Sequence, residues 1–194
     1  MVRSFYKNDY RPFKKGQDLP RVSTSLDSIR TYQFECQFFG LPPSINNTQR
    51  TDLTLAAKQV GAISMAVEPI KVNRVNDVIH YPGLPSFESI TITFDNLVLK
   101  RTTAALWEWF KATYDPITGD LTKFSAPGGA GNNTFKALKL RIIELDNTRT
   151  PHSAIELYGV YVEKIEFSEK NYSTNEFSNV AATFRFDFMD YFNY

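Results

Sequence analysis

The sequence predicts a mainly β fold, an antiparallel β-sandwich or half-barrel with one flanking α-helix and an extended hairpin. Three observations carry this expectation. The chain closes on Ala182-Thr183-Phe184-Arg185-Phe186-Asp187-Phe188, where Phe184, Phe186 and Phe188 share one face and Thr183, Arg185 and Asp187 share the other. Successive strand residues point to opposite faces, so a period of two marks a half-buried strand. Aromatic residues make up 14% of the chain, led by sixteen Phe and ten Tyr, and flat rings favour pleated surfaces. Finally, one segment alone carries a clear helical stripe.

At 194 residues the chain is long enough for one well-buried core and short for two domains. Residues 1–28 read as an extended N-terminal arm and residues 29–194 as a single β domain. The arm lacks apolar periodicity. It sets Tyr6, Tyr10 and Phe13 among charges that include Lys14 and Lys15, with Pro12, Gly16 and Pro20 as breaks. Those five residues are the candidate arm contacts, aromatic anchors and cations placed to dock on a neighbour.

A strand is expected at about 29–39, ended by Gly40-Leu41-Pro42-Pro43, with Cys36 sharing a face with Tyr32, Phe34 and Phe38. Residues 44–52 read as a polar loop. From about 60 to 81 the chain is β-prone but weakly patterned, as suits a long hairpin with no single buried face. Such a hairpin is unstable alone, so it either covers the core or reaches another subunit. Its candidate inter-subunit residues are Met65, Val67, Ile70, Val72, Arg74, Val78 and Tyr81.

Tyr81-Pro82-Gly83-Leu84-Pro85 reads as a turn, followed by a strand with Ile90, Ile92 and Phe94 on one face. The helix spans about 102–113, with Thr102 or Thr103 able to cap it and Ala105, Leu106, Trp109 and Phe110 forming its stripe. After a long loop at 118–133, a strand at about 134–145 holds Leu138, Leu140 and Ile142 in phase. Another spans about 154–167; its phase slips at Gly159, which predicts a bulge or bend. The closing strand is expected at about 178–190.

The net charge is only +1, which gives no case for a nucleic-acid binder as a whole. It is unevenly placed. Residues 1–24 carry six Lys and Arg against two acids, whereas residues 144–194 carry four against nine. This polarity suits either head-to-tail contact between copies or a solvated arm and an acidic outer sheet face.

Chemistry is thinly represented. The single cysteine excludes an internal disulfide framework and a Cys-rich zinc site, and the strand pattern buries it. His80 and His152 have no ligand spacing around them. Gly128-Gly129-Ala130-Gly131 lacks the Lys-Ser/Thr of a phosphate loop. Glu163, Glu166 and Glu169 read as a solvent face rather than a metal site. No cofactor is expected and the chain does not read as an enzyme. No apolar run suggests a signal peptide or a membrane span, so synthesis and first use in a cytosol are expected.

Several strings, in order, resemble the tail tube protein family of contractile-tailed bacteriophages, which is related to type VI secretion tube proteins. They are Tyr81-Pro82-Gly83 through Ile90-Thr91-Ile92-Thr93-Phe94; Trp107-Glu108-Trp109; Tyr114-Asp115-Pro116-Ile117-Thr118-Gly119; Ile155-Glu156-Leu157-Tyr158-Gly159-Val160-Tyr161-Val162; and the polar turn Ser168–Asn175 with the aromatic strand to Tyr191. The resemblance covers roughly 29–191. It implies stacked hexameric rings whose inner sheets join into a continuous barrel, with a hairpin and loops bridging copies. It also implies partners: further copies, the tail sheath protein, the tape measure protein, baseplate tube proteins and the tail terminator. Double-stranded DNA passes in transit, without membrane insertion. The implied location is the virion tail, assembled in host cytoplasm. A DNA-conducting lumen suits acidic and neutral residues, and Glu163, Glu166 and Asp187 are the candidates for it. The 1–28 arm and 118–133 loop are long for a minimal tube subunit, so a baseplate-proximal tube protein is the alternative. A nucleic-acid-binding β-module stands further off.

Overall fold

The computed structural model describes residues 29–98, 101–119, 135–173 and 177–194. Both the arm, with Tyr6, Tyr10, Phe13, Lys14 and Lys15, and most of the 118–133 loop lie outside them. The elements in order are β1 (Phe34–Phe39), α1 (Asn47–Ala56), β2 (Ala57–Val60), β3 (Met65–Asn73), β4 (Val78–Phe87), β5 (Ile90–Asp95), α2 (Thr102–Thr113), β6 (Ala137–Leu145), β7 (Pro151–Phe167), β8 (Asn179–Arg185) and β9 (Phe188–Asn193).

All strand pairs are antiparallel. Seven strands share one hydrogen-bonded network that folds into two layers, because β7 belongs to both. Strand β7 pairs β9 up to Tyr158 on one side and β6 up to Val160 on the other; from Tyr161 onward it pairs β8. The first layer is therefore β1–β6–β7–β9 and the second β7–β8–β5–β2. Gly159 sits between the two halves at φ +66°, a left-handed conformation that costs a side-chain-bearing residue strain. The phase slip read from the sequence is this corner.

The expected closing strand is in fact two. Asp187 donates its backbone N–H to Tyr158 O at 2.9 Å, and the chain bends there alongside Gly159, splitting β8 from β9. Phe184 and Phe186 stay on the core face, fully and nearly fully buried, while Phe188 is 52% exposed. It turns instead onto the Tyr158 ring, with centroids 4.7 Å apart and planes 11° apart.

Between the layers Phe38, from β1, meets Phe94, Trp109 and Phe184 at ring distances of 6.3, 6.0 and 6.2 Å. Helix α2 contributes Ala105, Leu106 and Trp109 to this cluster, all fully buried. The alternation Ile90, Ile92, Phe94 is buried as expected. Leu138 departs from its expected face: it is exposed, at the end of β6 where β7 bends away, while Leu140 and Ile142 are buried.

Three local expectations are corrected. Residues 47–56 form a helix rather than a loop, because Asn46 and Gln49 exchange side-chain-to-backbone bonds, each 2.9 Å, as a capping box. Its buried stripe is only Asp52, Leu53 and Ala56, too short to show as periodicity. Helix α2 is not capped by threonine: Arg101 is its N-cap, Thr102 is buried, and the Thr103 hydroxyl donates to Asn96 Oδ1 at 2.8 Å. Tyr81–Pro85 is not a turn but part of β4; the chain reverses at 74–77, where Arg74 N donates to Asp77 O at 2.8 Å. Pro82 and Pro85 are tolerated because β4 is no central strand: its one ladder partner is β3.

Candidate assembly surfaces

Among the described residues the β3–β4 hairpin is a separate two-stranded sheet that shares no ladder with the body. Every residue of β3 is exposed. Met65, Val67, Ile70, Val72, Val78 and Tyr81 all rank among the exposed large apolar residues, and Arg74 sits at the start of the tip. The structure thus brings all seven hairpin candidates together on one projecting element. The pairing also shows an order the sequence hid. Ile70 opposes Tyr81 and Val72 opposes Ile79, so the distal half has an apolar face; Lys71, His80, Asn73 and the candidate Val78 lie on its back. A bulge between Val67 and Pro69 breaks the phase, which is why a single alternation was not legible. At the base the opposite face turns inward, with Phe87 against Phe186 at 5.8 Å. Gly83 lies so close to Glu68 O that any side chain there would strike the backbone.

Among the described residues no strand pairs the outer sides of β1 and β9 in the first layer. The same holds for β2 and residues 161–167 of β7 in the second. Unpaired edges are templates for further strands.

The outward faces of the layers differ in chemistry. On the first, Glu156 is nearly buried and is gripped by Lys139 Nζ at 2.7 Å, Arg141 Nε at 2.7 Å and the Tyr158 hydroxyl. Burial alone would raise its pKa, but the three hydrogen bonds and the Arg141 charge win and hold it at about 2. Lys139 and Arg141 lie over the Phe39 ring at 5.4 and 5.3 Å, and Arg141 also faces Phe192 at 5.6 Å. This interlocked patch was not read from the sequence, since its members are scattered from 39 to 192 and meet only through strand pairing.

The second layer's outward face is small and hydroxylated at its centre, with Tyr161 and the exposed Arg185 in the row nearest the corner. One row runs Lys164–Thr183–Thr91, the next Glu166–Ala181–Thr93–Gln59. Thr91 and Thr183 share a hydrogen bond of 3.0 Å. At the β2 side Lys58 pairs with Asp95 at 3.2 Å, and at the β7 side Lys164 pairs with Glu166 at 2.5 Å. Of the three acidic lumen candidates, Glu166 lies on this face. Glu163 is exposed at the register shift between Val162 and Lys164. Asp187 sits at the corner, where Lys136 Nζ reaches it at 2.7 Å. The structure does not gather the three into one cluster.

Cys36 is 1% exposed, and burial, reinforced by the charge of Glu35, pushes its thiol up to about 12. His80 lies on β4 and His152 on β7. Among the described residues no group of His, Cys, Asp or Glu is arranged to hold a metal ion, and no helix is long and apolar enough to cross a membrane.

No protein family and no curated protein matches the chain in sequence. Solved structures do match in fold. A chain of the anti-feeding prophage baseplate superposes with a TM-score of 0.62 at 10% identity, over 86% of this chain and 96% of that one. A chain of the anti-feeding prophage cap, which terminates the tube, gives 0.62 at 13% identity, over 87% and 93%. A chain of the sheath–tube complex of the extracellular contractile injection system PVC gives 0.60 at 12% identity, over 88% and 95%. The fold is the one found in these contractile injection systems, in keeping with the resemblance to tail tube proteins drawn from the sequence.

Proposed function

We propose that the chain is a structural tube subunit of a contractile tail or injection machine, built to associate with copies of itself. The observation that carries this is the pair of layers whose edges have no partner strand among the described residues, beside a hairpin that exposes an apolar face. Such surfaces aggregate unless a defined partner covers them. A heterologous interface repeated by rotation closes a ring, and stacked rings make a tube. The fold likeness to chains of a baseplate, a cap and a sheath–tube complex supports the same reading.

In its finer form, the chain forms hexameric rings in a phage tail, inside the virion and assembled in host cytoplasm. Its further partners are the sheath, tape measure protein, terminator and baseplate tube proteins, with DNA in transit through the lumen. The likeness to a baseplate chain favours one second reading, a tube initiator beside the baseplate. The test is electron microscopy with light scattering of the purified chain at rising concentration. Hollow filaments support the main tube, and single rings that do not elongate support the initiator. A monomer at every concentration overturns both, and salt-sensitive oligonucleotide binding by that monomer would favour a nucleic-acid module.

A further inference from the structure

Resting on the reading that copies of the chain associate, we propose that residues 1–28 of one copy seat at the far end of β7 in the next, in the groove bounded by Glu169, Tyr172 and Phe177.

That end of the domain leaves aromatic surface uncovered. Phe167 opposes Val180 across the ladder and so lies on the core side of the second layer, yet it is 55% exposed. Tyr172 and Phe177, on the connection to β8, are exposed as well. Leu97 and Val98 are exposed where the chain leaves β5, and Asn96 N donates there to Ser178 O at 3.0 Å. A groove of about 440 Å³, lined in part by Ser168, Glu169, Lys170, Tyr172, Phe177 and Ser178, opens at this end. Its volume is that of ordinary ligand clefts. Large apolar side chains gathered at one exposed end mark a docking surface.

Charge selects the occupant. Residues 163–179 carry four Glu against two Lys. Lys164 is held by Glu166 at 2.5 Å, and Lys170 donates to the Ser168 and Ser178 hydroxyls. Glu169 rims the groove, and Glu163 and Glu166 are exposed on the strand leading to it. Residues 1–24 carry six Lys and Arg against two acids, with Tyr6, Tyr10 and Phe13 among them. The hairpin, the other exposed apolar element, is balanced, with Glu68 and Asp77 against Lys71 and Arg74. A basic, aromatic segment complements an acidic, aromatic groove through ring packing inside and opposite charge around it.

Position makes the contact one between copies. Gln33 O accepts from Leu145 N at 2.9 Å, and Leu145 opposes Pro151. Residue 33 therefore stands beside the start of β7, whereas the groove lies past its end. From residue 29 back to Lys14 an extended chain spans about 50 Å. Copies placed head to tail bring the two ends together without the segment crossing its own domain.

Charge exchange tests this. An arm variant, Lys14→Glu with Lys15→Glu, and a groove variant, Glu166→Lys with Glu169→Lys, are each expected to raise the concentration for half-assembly about tenfold in light scattering. Phe177→Ala should act in the same direction, with unfolding midpoints of all three close to the parent. An equimolar mixture of the arm and groove variants should recover most of the loss, because each segment then meets opposite charge only on the other kind of copy. If the chain combining all four charge changes recovers but the mixture does not, the segment lies on its own groove and the proposal is overturned. If the parent assembles and the arm and groove variants assemble as readily, the proposal falls and the tube reading stands. If the parent never associates, both fall.

Discussion

The carboxylate of Asp187 occupies the space that a side chain on Gly159 would need. Gly159 also holds φ +66°, so the corner that lets one strand serve two layers is restricted twice, by backbone conformation and by contact. Gly159→Ala is expected to destabilise the chain by about 1–3 kcal/mol, read from urea unfolding. It should displace Asp187 from Lys136, which holds it at 2.7 Å. Asp187→Ala combined with Gly159→Ala should cost less than the sum of the two single changes, since the contact is then gone.

The acid limb of stability should report Glu156. Its folded pKa, about 2, lies below the ordinary 4.5, so the folded state favours the ionised form. Its contribution is fully present above about pH 4.5 and is lost as pH falls toward 2. Glu156→Gln should therefore flatten the fall in melting temperature between pH 5 and pH 2. It should also lower stability at neutral pH, because Lys139 and Arg141 would keep their charges without a counter-ion.

Trp109 joins both layers and the helix. It is fully buried, it sits edge-on to Phe38 at 6.0 Å, and its indole N–H donates to Phe135 O at 2.9 Å. Trp109→Ala should cost about 3–5 kcal/mol. Trp109→Phe keeps part of the ring packing but loses the hydrogen bond and some volume, so its cost should be smaller than that of Trp109→Ala.

The hairpin should separate association from folding. Ile70 is 56% exposed and its strand shares no ladder with the body. Ile70→Asp should thus leave the unfolding free energy within about 0.5 kcal/mol of the parent. The same change should abolish assembly under the tube reading, measured by light scattering. Gly83→Ala, which would drive a side chain into Glu68 O, should distort the bulge and weaken assembly in the same way. Lys71→Ala, on the back of the hairpin, should do little.

A thiol reagent at neutral pH should find Cys36 only when the whole domain opens. The group is buried and held neutral, with its pKa raised to about 12 by burial and then by Glu35. Labelling that outpaces global unfolding would show local opening of β1.

Much of the architecture was legible from local pattern. Ile90, Ile92 and Phe94 announced a core strand, and Ala105, Leu106 and Trp109 announced the buried side of α2. The phase slip at Gly159 marked a bend. The failures share a cause as well. Asn46 and Gln49 define α1 through two hydrogen bonds and a three-residue buried stripe, which composition hides. The prolines of β4 resembled a turn because only the pairing partner shows that their missing N–H groups break no central ladder. The hairpin seeds Met65 to Tyr81 were visible as apolar residues, but the bulge that sorts them onto faces was not.

What this sequence determined by itself is the period-two pattern of most strands, the apolar stripe of α2 and which residues prefer the inside. Those properties act over a few residues, where side-chain period and turn chemistry suffice. Tertiary structure alone decided that β7 serves two layers, that Glu156 is clasped by Lys139 and Arg141, and which edges stay open among the described residues. An open edge is defined by the absence of a neighbour, and neighbours in a sheet come from distant parts of the chain: β5 pairs β8 nearly ninety residues away, as Thr93 with Ala181. Register across such separations is set by packing of the whole sandwich, and the surfaces offered to other copies are what that packing leaves uncovered.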